Sequence, residues 1–498
     1  MMTLRRTWYG LAGLLVVSLL MVGCRASREI RDPEYATMAR QASLAVSSPD
    51  PALESVPPVV EGLAGPQPVE VYVEFALAQN PDIQAARKRV DAAAHRVPQA
   101  ASLKDPTLAI TVFPEQVQTA AGQQELTMAA SQQVPWFGKL RTRAEVAEAA
   151  TDVARAHLAA VELEVIEQVK RVYYELHFVQ KATRITKEDQ ALLQDLTQIA
   201  ESKYRTGGTS QQDVLRAQVE VLKLDSELIR LRQQLESAQA RLARLLHVSP
   251  DTPLCALDQP LEGQVPGDLE RLYQAAVAAR PELQAQLAAL QRDRRSVELA
   301  RLDYFPDVMA GVTWIATSDG GLSPVANGRD PLLLGLSVNV PIYRKRLEAG
   351  VREKEAQAVS TARQYDSLRD QTVAQVKDLF AQATSQYELV RLFRDDIIPK
   401  ADQTLNVSKS AYGVGDVDFL QLIDNWSQLL RFQIMRHRLE SQLQQTLATL
   451  ERVVGGQLET GLPGEPMPTP FQPEEPALGE PAPMPPATAP EPPQPVNP

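Results

Sequence analysis

Aromatic residues make up only 5% of this 498-residue chain, cysteine occurs twice and histidine five times. So few aromatics suit Ala/Leu/Gln-rich helices better than a large globular core. Two cysteines cannot form a disulfide framework. His95, His157, His177, His247 and His437 lack the spacing of a metal site or a catalytic triad, and no P-loop or dinucleotide glycine loop is present. The chain therefore reads as a non-enzyme with no cofactor. Positive charge is outnumbered: 51 Lys and Arg stand against 62 Asp and Glu, a net charge of −11, with no basic stripe interleaved with aromatics. Nucleic acid is not the expected partner. Nor does any apolar run reach a comfortable membrane-helix length, since Trp8 to Val22 is too short.

What the chain does have is a helical run from Lys345 to Tyr412. Its apolar positions Val376, Phe380, Ala383, Tyr387 and Val390 alternate three- and four-residue spacings, the seam of a coiled coil. At 1.5 Å per residue such a run reaches roughly 100 Å. Pro399 should kink it, because proline lacks the N–H owed to the carbonyl of Asp395. A turn at Tyr412–Asp416 leads to a second helical pattern running back toward Gly455.

This hairpin occurs twice. Asn80-Pro81-Asp82-Ile83 recurs about 200 residues later as Arg280-Pro281-Glu282-Leu283, and Val134-Pro135-Trp136-Phe137-Gly138-Lys139 returns as Val340-Pro341-Ile342-Tyr343-Arg344-Lys345. Tyr204-Arg205-Thr206-Gly207 returns as Tyr412-Gly413-Val414-Gly415. Each copy predicts a short helix (69–79; 268–279) and a second helix (82–104; 282–303), with a possible kink at Pro98. Two strands follow (107–113 and 125–134; 307–317 and 332–340), then a long helix (139–205; 345–412) and a returning one (209–247; 416–454). The second and returning helices together match the long one in length, so they could stack beside it. Ile166, Val169, Tyr173 and Leu176 mark one seam of the first long helix, and Val161, Val165, Val172 and Val179 another. Two seams imply a neighbour on each side, as in a closed ring. The strands alternate with period two, apolar Val308, Ala310, Val312 and Trp314 against polar positions such as Thr313 and Ser337. Strands of this kind are the weak signature of a membrane β-barrel. Four cannot close one, so several chains should contribute. The alternative is a soluble hairpin pair capping a helical bundle.

Residues 1–23 read as a signal peptide. Leu20-Met21-Val22-Gly23-Cys24 resembles the lipobox of bacterial lipoproteins, with Met21 in place of the preferred leucine, and predicts acylation of Cys24. The alternative is ordinary cleavage beside an incidental cysteine. Arg25 lacks the aspartate of an inner-membrane retention signal, which favours the outer membrane. Residues 24–68 form a polar linker, 248–267 an inter-repeat linker holding Cys255, and 456–498 a Pro/Glu-rich tail expected to be disordered. The repeats proper are 69–247 and 268–455.

Taken together, the N/R-P-[DE]-[IL] openings, the strand pairs ending in Val-Pro and the Tyr-x-x-Gly turns resemble the TolC-like outer-membrane efflux protein family, in its lipoprotein branch. The resemblance spans about residues 69–455, in order and in duplicate. It implies a mainly α chain with membrane β: a homotrimer with a shared twelve-stranded β-barrel on a long α-helical periplasmic barrel. It implies tip-to-tip docking on a periplasmic adaptor and an inner-membrane pump. The implied function is the exit duct of a tripartite efflux system, passing small molecules or metal ions from periplasm to exterior. The alternatives are the duct of a type I protein secretion system and a structural coiled-coil envelope lipoprotein. By resemblance, Asp213, Tyr412, Gln421 and Asp424 mark the periplasmic aperture. Gln421 stands where the family has a second aspartate, and Val417 where it has a latching arginine. Tyr204, Gly207, Gly208, Thr209, Gly415 and Asp416 mark the docking tips. Each has a plainer reading: the tyrosines could pack a coiled-coil end, the glycines serve the turns, and Asp213 and Asp416 could start helices.

Overall fold

A computed structural model describes residues 60–458 apart from 64, 262, 326 and 415, together with residues 34, 35 and 37. The signal peptide, Cys24 and the tail beyond Leu458 lie outside the described residues. The described residues from Val60 to Leu458 belong to one compact unit.

Within it the first repeat forms α1 (Val69–Gln79), α2 (Pro81–Ala94), α3 (Arg96–Ala101), α4 (Lys139–Arg205) and α5 (Gln211–Leu246). The second forms α6 (Leu269–Ala279), α7 (Pro281–Leu302), α8 (Arg344–Leu392), α9 (Ile398–Val414) and α10 (Phe419–Val454). Pro81 and Pro281 open α2 and α7 at the first helical position, where the missing N–H has no intrahelical partner to lose. Asn80 caps α2 by accepting from the Asp82 and Ile83 N–H groups, and its amide donates to Leu245 O at 2.8 Å. Arg280, its counterpart, donates instead to the Thr372 hydroxyl and Gln375. The two openings are thus homologous in backbone and different in side-chain chemistry.

Three expected boundaries move. The predicted helix 82–104 breaks at His95, three residues before Pro98, because that proline cannot donate to the carbonyl of Ala94. The long second helix is interrupted just before Pro399 rather than at it. A π-helical turn, Phe393–Ile397, precedes it and places Pro399 in the first turn of α9, where its missing N–H costs little. Finally, residues 60–68, assigned from sequence to a polar linker, hold a 3-10 turn (Glu61–Leu63) and a short strand β1 (Gly65–Gln67). β1 pairs in parallel with β4 (Leu254–Ala256), so Cys255 sits half-buried in a strand rather than in a free linker.

α4 is 67 residues long, about 100 Å. One side packs α2, α3 and α5, and the other packs α7 and α10 of the second repeat. α4 therefore has neighbours on both sides, but the two expected seams do not divide between them: Val165, Val169, Tyr173 and Leu176 are buried in one cluster with α1, α2 and α5, and Val161 and Val172 lie half-buried against it. α8 and α9 complete the row by packing on α7 and α10. Val376, Ala383 and Val390 of the α8 seam are buried, whereas Tyr387 remains exposed. Ion pairs tie the repeats where α4 meets α10: Arg438 donates to both oxygens of Glu175, Arg452 meets buried Glu167 at 2.9 Å, and Lys170 pairs with Glu451.

The strands β2 (Thr107–Thr119), β3 (Gly122–Val134), β5 (Val308–Thr317) and β6 (Leu332–Val338) form one antiparallel sheet in the order β2-β3-β5-β6. Val312 lies opposite both Ala130 and Leu334, and Trp314 opposite Met128 and Leu332, so one face is apolar across three strands. β2 runs six residues past its predicted end through a register shift between Val112 and Val117. Pro114 sits inside that irregularity on an edge strand, where a missing donor is tolerated, and it hid the continuation.

Sheet and helices join at one buried cation. Lys139, 3% exposed, donates to Asp307 at 2.8 Å and to Phe305 O at 3.1 Å, while the Trp136 N–H donates to the same Asp307 oxygen. The Trp136 ring stacks on Phe305 at 5.5 Å. Removing one partner of such a pair strands the other charge, so Lys139→Met should cost about 3 kcal/mol or more. Thermal unfolding of the detergent-solubilised protein checks this, and adding Asp307→Leu should recover most of the loss.

Candidate functional site at the hairpin tips

The chain reverses at the end of α4 through a Schellman arrangement. Gly207 N–H donates to Tyr204 O, Gly208 N–H donates to Lys203 O at 2.8 Å, and Gly207 has φ +76. Gly207 thus serves the turn, since glycine reaches that conformation without strain. Gly208 does not have positive φ. Ser210 then starts α5 with a reciprocal capping box: its hydroxyl accepts from Asp213 N–H while Asp213 accepts from Ser210 N–H. The Thr209 hydroxyl donates to the same carboxylate at 2.6 Å. Burial pushes the Asp213 carboxyl up, but these hydrogen bonds outweigh it and hold the pKa below its ordinary value. Asp213 is accordingly a helix-start residue here.

The second tip is built differently. Gly415 lies outside the described residues. Asp416 donates its N–H to Ala411 O and sits in the turn, exposed. The cap of α10 is Asp418, which accepts from Gln421 N–H at 2.8 Å, so the expectation that Asp416 starts this helix is corrected. Its own spacing, Asp-x-x-Gln, carried that signal.

Tyr412 is buried, 5.6 Å from the Phe419 ring, in a cluster with Leu405, Leu422, Ile423 and Trp426. Burial raises its pKa, so the phenol stays neutral. Tyr204, by contrast, is 45% exposed. Sequence reasoning missed Lys203. Its ammonium lies 4.1 Å from the Tyr412 ring centroid and donates to Tyr412 O at 2.5 Å, so a lysine of the first repeat caps the last carbonyls of α9. No sequence signal marks it, because the contact joins residues more than 200 positions apart.

Gln421 and Asp424 share the exposed face of α10. Asp424 lies 4.0 Å from Arg216 on α5. A guanidinium therefore faces this carboxylate even though Val417 stands at the expected arginine position. Deeper in, buried Trp426 donates its indole N–H to Asp189 at 2.9 Å, again across repeats. Burial drives the Asp189 carboxyl up against that hydrogen bond. Among the described residues no cluster of His, Cys, Asp and Glu could hold a metal ion, and no helix is long and apolar enough to cross a membrane.

Known proteins agree with this architecture. The chain is 22% identical to the cobalt-zinc-cadmium resistance protein CzcC of Cupriavidus metallidurans, over 83% of its own length and 96% of the relative's. It is 23% identical to nodulation protein T of Rhizobium leguminosarum bv. trifolii, over 82% and 89%. Among solved structures, CusC superposes with a TM-score of 0.68 at 17% identity, covering 79% of this chain and 93% of that one. The outer-membrane channel OprN gives 0.67 at 20%, covering 82% and 98%. The family profile described as outer membrane efflux protein matches residues 73–247 and 272–456, one match per repeat. With both repeats matched and the sheet-on-helical-column fold in place, the chain belongs to the outer membrane efflux protein family.

Proposed function

We propose that three copies of this chain close into one outer-membrane exit duct of a tripartite efflux system, which passes small molecules or metal ions delivered by an inner-membrane pump. The observation that carries this reading is the pair of open ends. The helical row ends at α5 on one side and at α8/α9 on the other, and the sheet ends at β2 and β6. Leu215, Val219, Leu222 and Ile229 form an exposed coiled-coil seam along α5, and Val359, Leu392 and Val407 are exposed along α8 and α9. Both kinds of edge are satisfied when the next copy packs head to tail, and such a contact closes into a ring. The apolar sheet face, with Leu334 81% exposed, then meets lipid. A mass of three subunits for the solubilised protein is expected, with loss of export on gene deletion and rescue by the wild-type gene. A monodisperse monomer with an intact β-signal would refute the shared barrel.

Cargo selection is assigned to the pump, and the tip is assigned the gate. The Arg216–Asp424 pair is exposed and stretched, so it contributes at most about 1 kcal/mol. Three such weak pairs suit a latch that must open. Asp424→Ala should reduce cation selectivity and weaken block by multivalent cations from the periplasmic side of a planar bilayer, whereas Asp416→Ala should change both less. Arg216→Ala should raise the resting conductance, and unchanged conductance would place the constriction elsewhere.

Docking of a periplasmic adaptor is assigned to the tips, including Tyr204, Gly207, Gly208, Thr209, Gly415 and Asp416. Lipid anchoring is assigned to Cys24. Cys24→Ser should abolish metabolic labelling with palmitate while the protein still inserts, and persistent labelling would remove the anchor from this account.

A further inference from the structure

The two repeats leave their strand pairs through equivalent residues that the fold uses differently. Phe137 and Tyr343 hold the same position in each copy, and both rings are exposed, at 86% and 70%. Lys139 and Lys345 are equivalent too. Lys139 is buried against Asp307, and Arg141 beside it meets Glu145 at 3.5 Å. Lys345 is exposed, as are Arg344 and Arg346 on either side of it, and among the described residues none of the three forms an ion pair. Glu348, the first acid after them, pairs instead with Arg352 at 2.6 Å. Arg344 rests over the Tyr304 ring, 5.6 Å from its centroid, a contact that leaves the charge unneutralised.

Helix stability does not account for this cluster. Three cations fill the first turn of α8, where the helix dipole favours anions and no acid is present. Directly before them Val340, Ile342 and Tyr343 are exposed as well. They continue the apolar face of β6, whose Leu332, Leu334, Leu336 and Val338 are all exposed. From Leu332 to Val340 an extended chain advances about 27 Å, or about 20 Å of depth at a tilt near 40°. The apolar band of an outer-membrane barrel is about 25 Å tall. Ile342, Tyr343 and the three cations therefore fall at the boundary of that band on the side of the helices.

We propose that Ile342–Arg346 binds an anionic phospholipid of the periplasmic leaflet. Ile342 and Tyr343 meet the acyl chains where they join the headgroup, and Arg344, Lys345 and Arg346 donate to its phosphodiester. A ring beside free cations suits a surface that is apolar on one side and anionic on the other. Continuity with the lipid-facing side of β6 selects lipid over a protein partner. Pairing of β6 with the next copy engages its backbone edge and leaves these side chains outside. The contact rests on the reading of the sheet as the membrane-spanning layer, and it is independent of the tips, the gate and the cargo.

The test is native mass spectrometry of the delipidated full-length protein, titrated with dioleoylphosphatidylglycerol or with zwitterionic dioleoylphosphatidylcholine. At equal lipid, phosphatidylglycerol adducts should outnumber phosphatidylcholine adducts several-fold. The combined variant Arg344→Gln, Lys345→Gln and Arg346→Gln should lower them to the phosphatidylcholine level, and Arg344→Lys with Arg346→Lys should retain them. Lys377→Gln, at an exposed lysine further along α8, should change neither count. Equal adducts of the two lipids on the wild type, an unchanged triple glutamine variant, or an equal loss in Lys377→Gln would overturn the proposal. The same spectra count subunits. A wild-type mass other than three subunits refutes the shared barrel, and the lipid contact is then decided by the same comparison on the species present.

Discussion

No strand edge can be left unpaired in hydrocarbon, where no water replaces a missing partner. That single constraint organises the chain. Four strands in the order β2-β3-β5-β6 leave two free edges, and a sheet this small cannot curl far enough to join them. The helical row inherits the same problem, because each strand pair feeds directly into a column below it. Duplication then has a physical reason: a repeat made of one strand pair and two columns tiles around an axis in both layers at once.

α4 holds this arrangement together. It packs on columns of both repeats, and its apolar contacts are supplemented by Glu167, Lys170 and Glu175 reaching to α10. Charged pairs of this kind contribute little net stability compared with apolar side chains of similar volume. They do fix register, since a slip of one turn along two featureless seams would leave buried Glu167 without Arg452. At the upper end the Lys139–Asp307 pair does the same for sheet against helix.

The fold was largely legible from sequence because its signals are periodic and duplicated. α1 and α4 fall within a residue of their expected limits, and the alternation of Val308 to Trp314 sets the correct sheet face. What escaped notice was local chemistry without period. The bulge around Pro114, the π turn before Pro399 and the β1–β4 pairing each depend on partners distant in sequence or on backbone choices no alternation records. The tips were legible in part. Ser210-x-x-Asp213 and Asp418-x-x-Gln421 are readable capping patterns, whereas Lys203 over Tyr412 and Arg216 beside Asp424 exist only after folding.

Those tips show how a duplicated fold can divide labour. In the first repeat a Schellman turn and a capping box satisfy the end groups with local bonds, and Asp213 is consumed by them. In the second repeat the cap is one-sided, and the last carbonyls of α9 borrow Lys203 from the other hairpin. Its exposed acid, Asp424, is held by a distant and solvated Arg216. A hairpin whose end groups depend on its neighbour can exchange those bonds for water at small cost. The same backbone thus ends one hairpin in bonds made within it and the other partly in bonds shared across the pair.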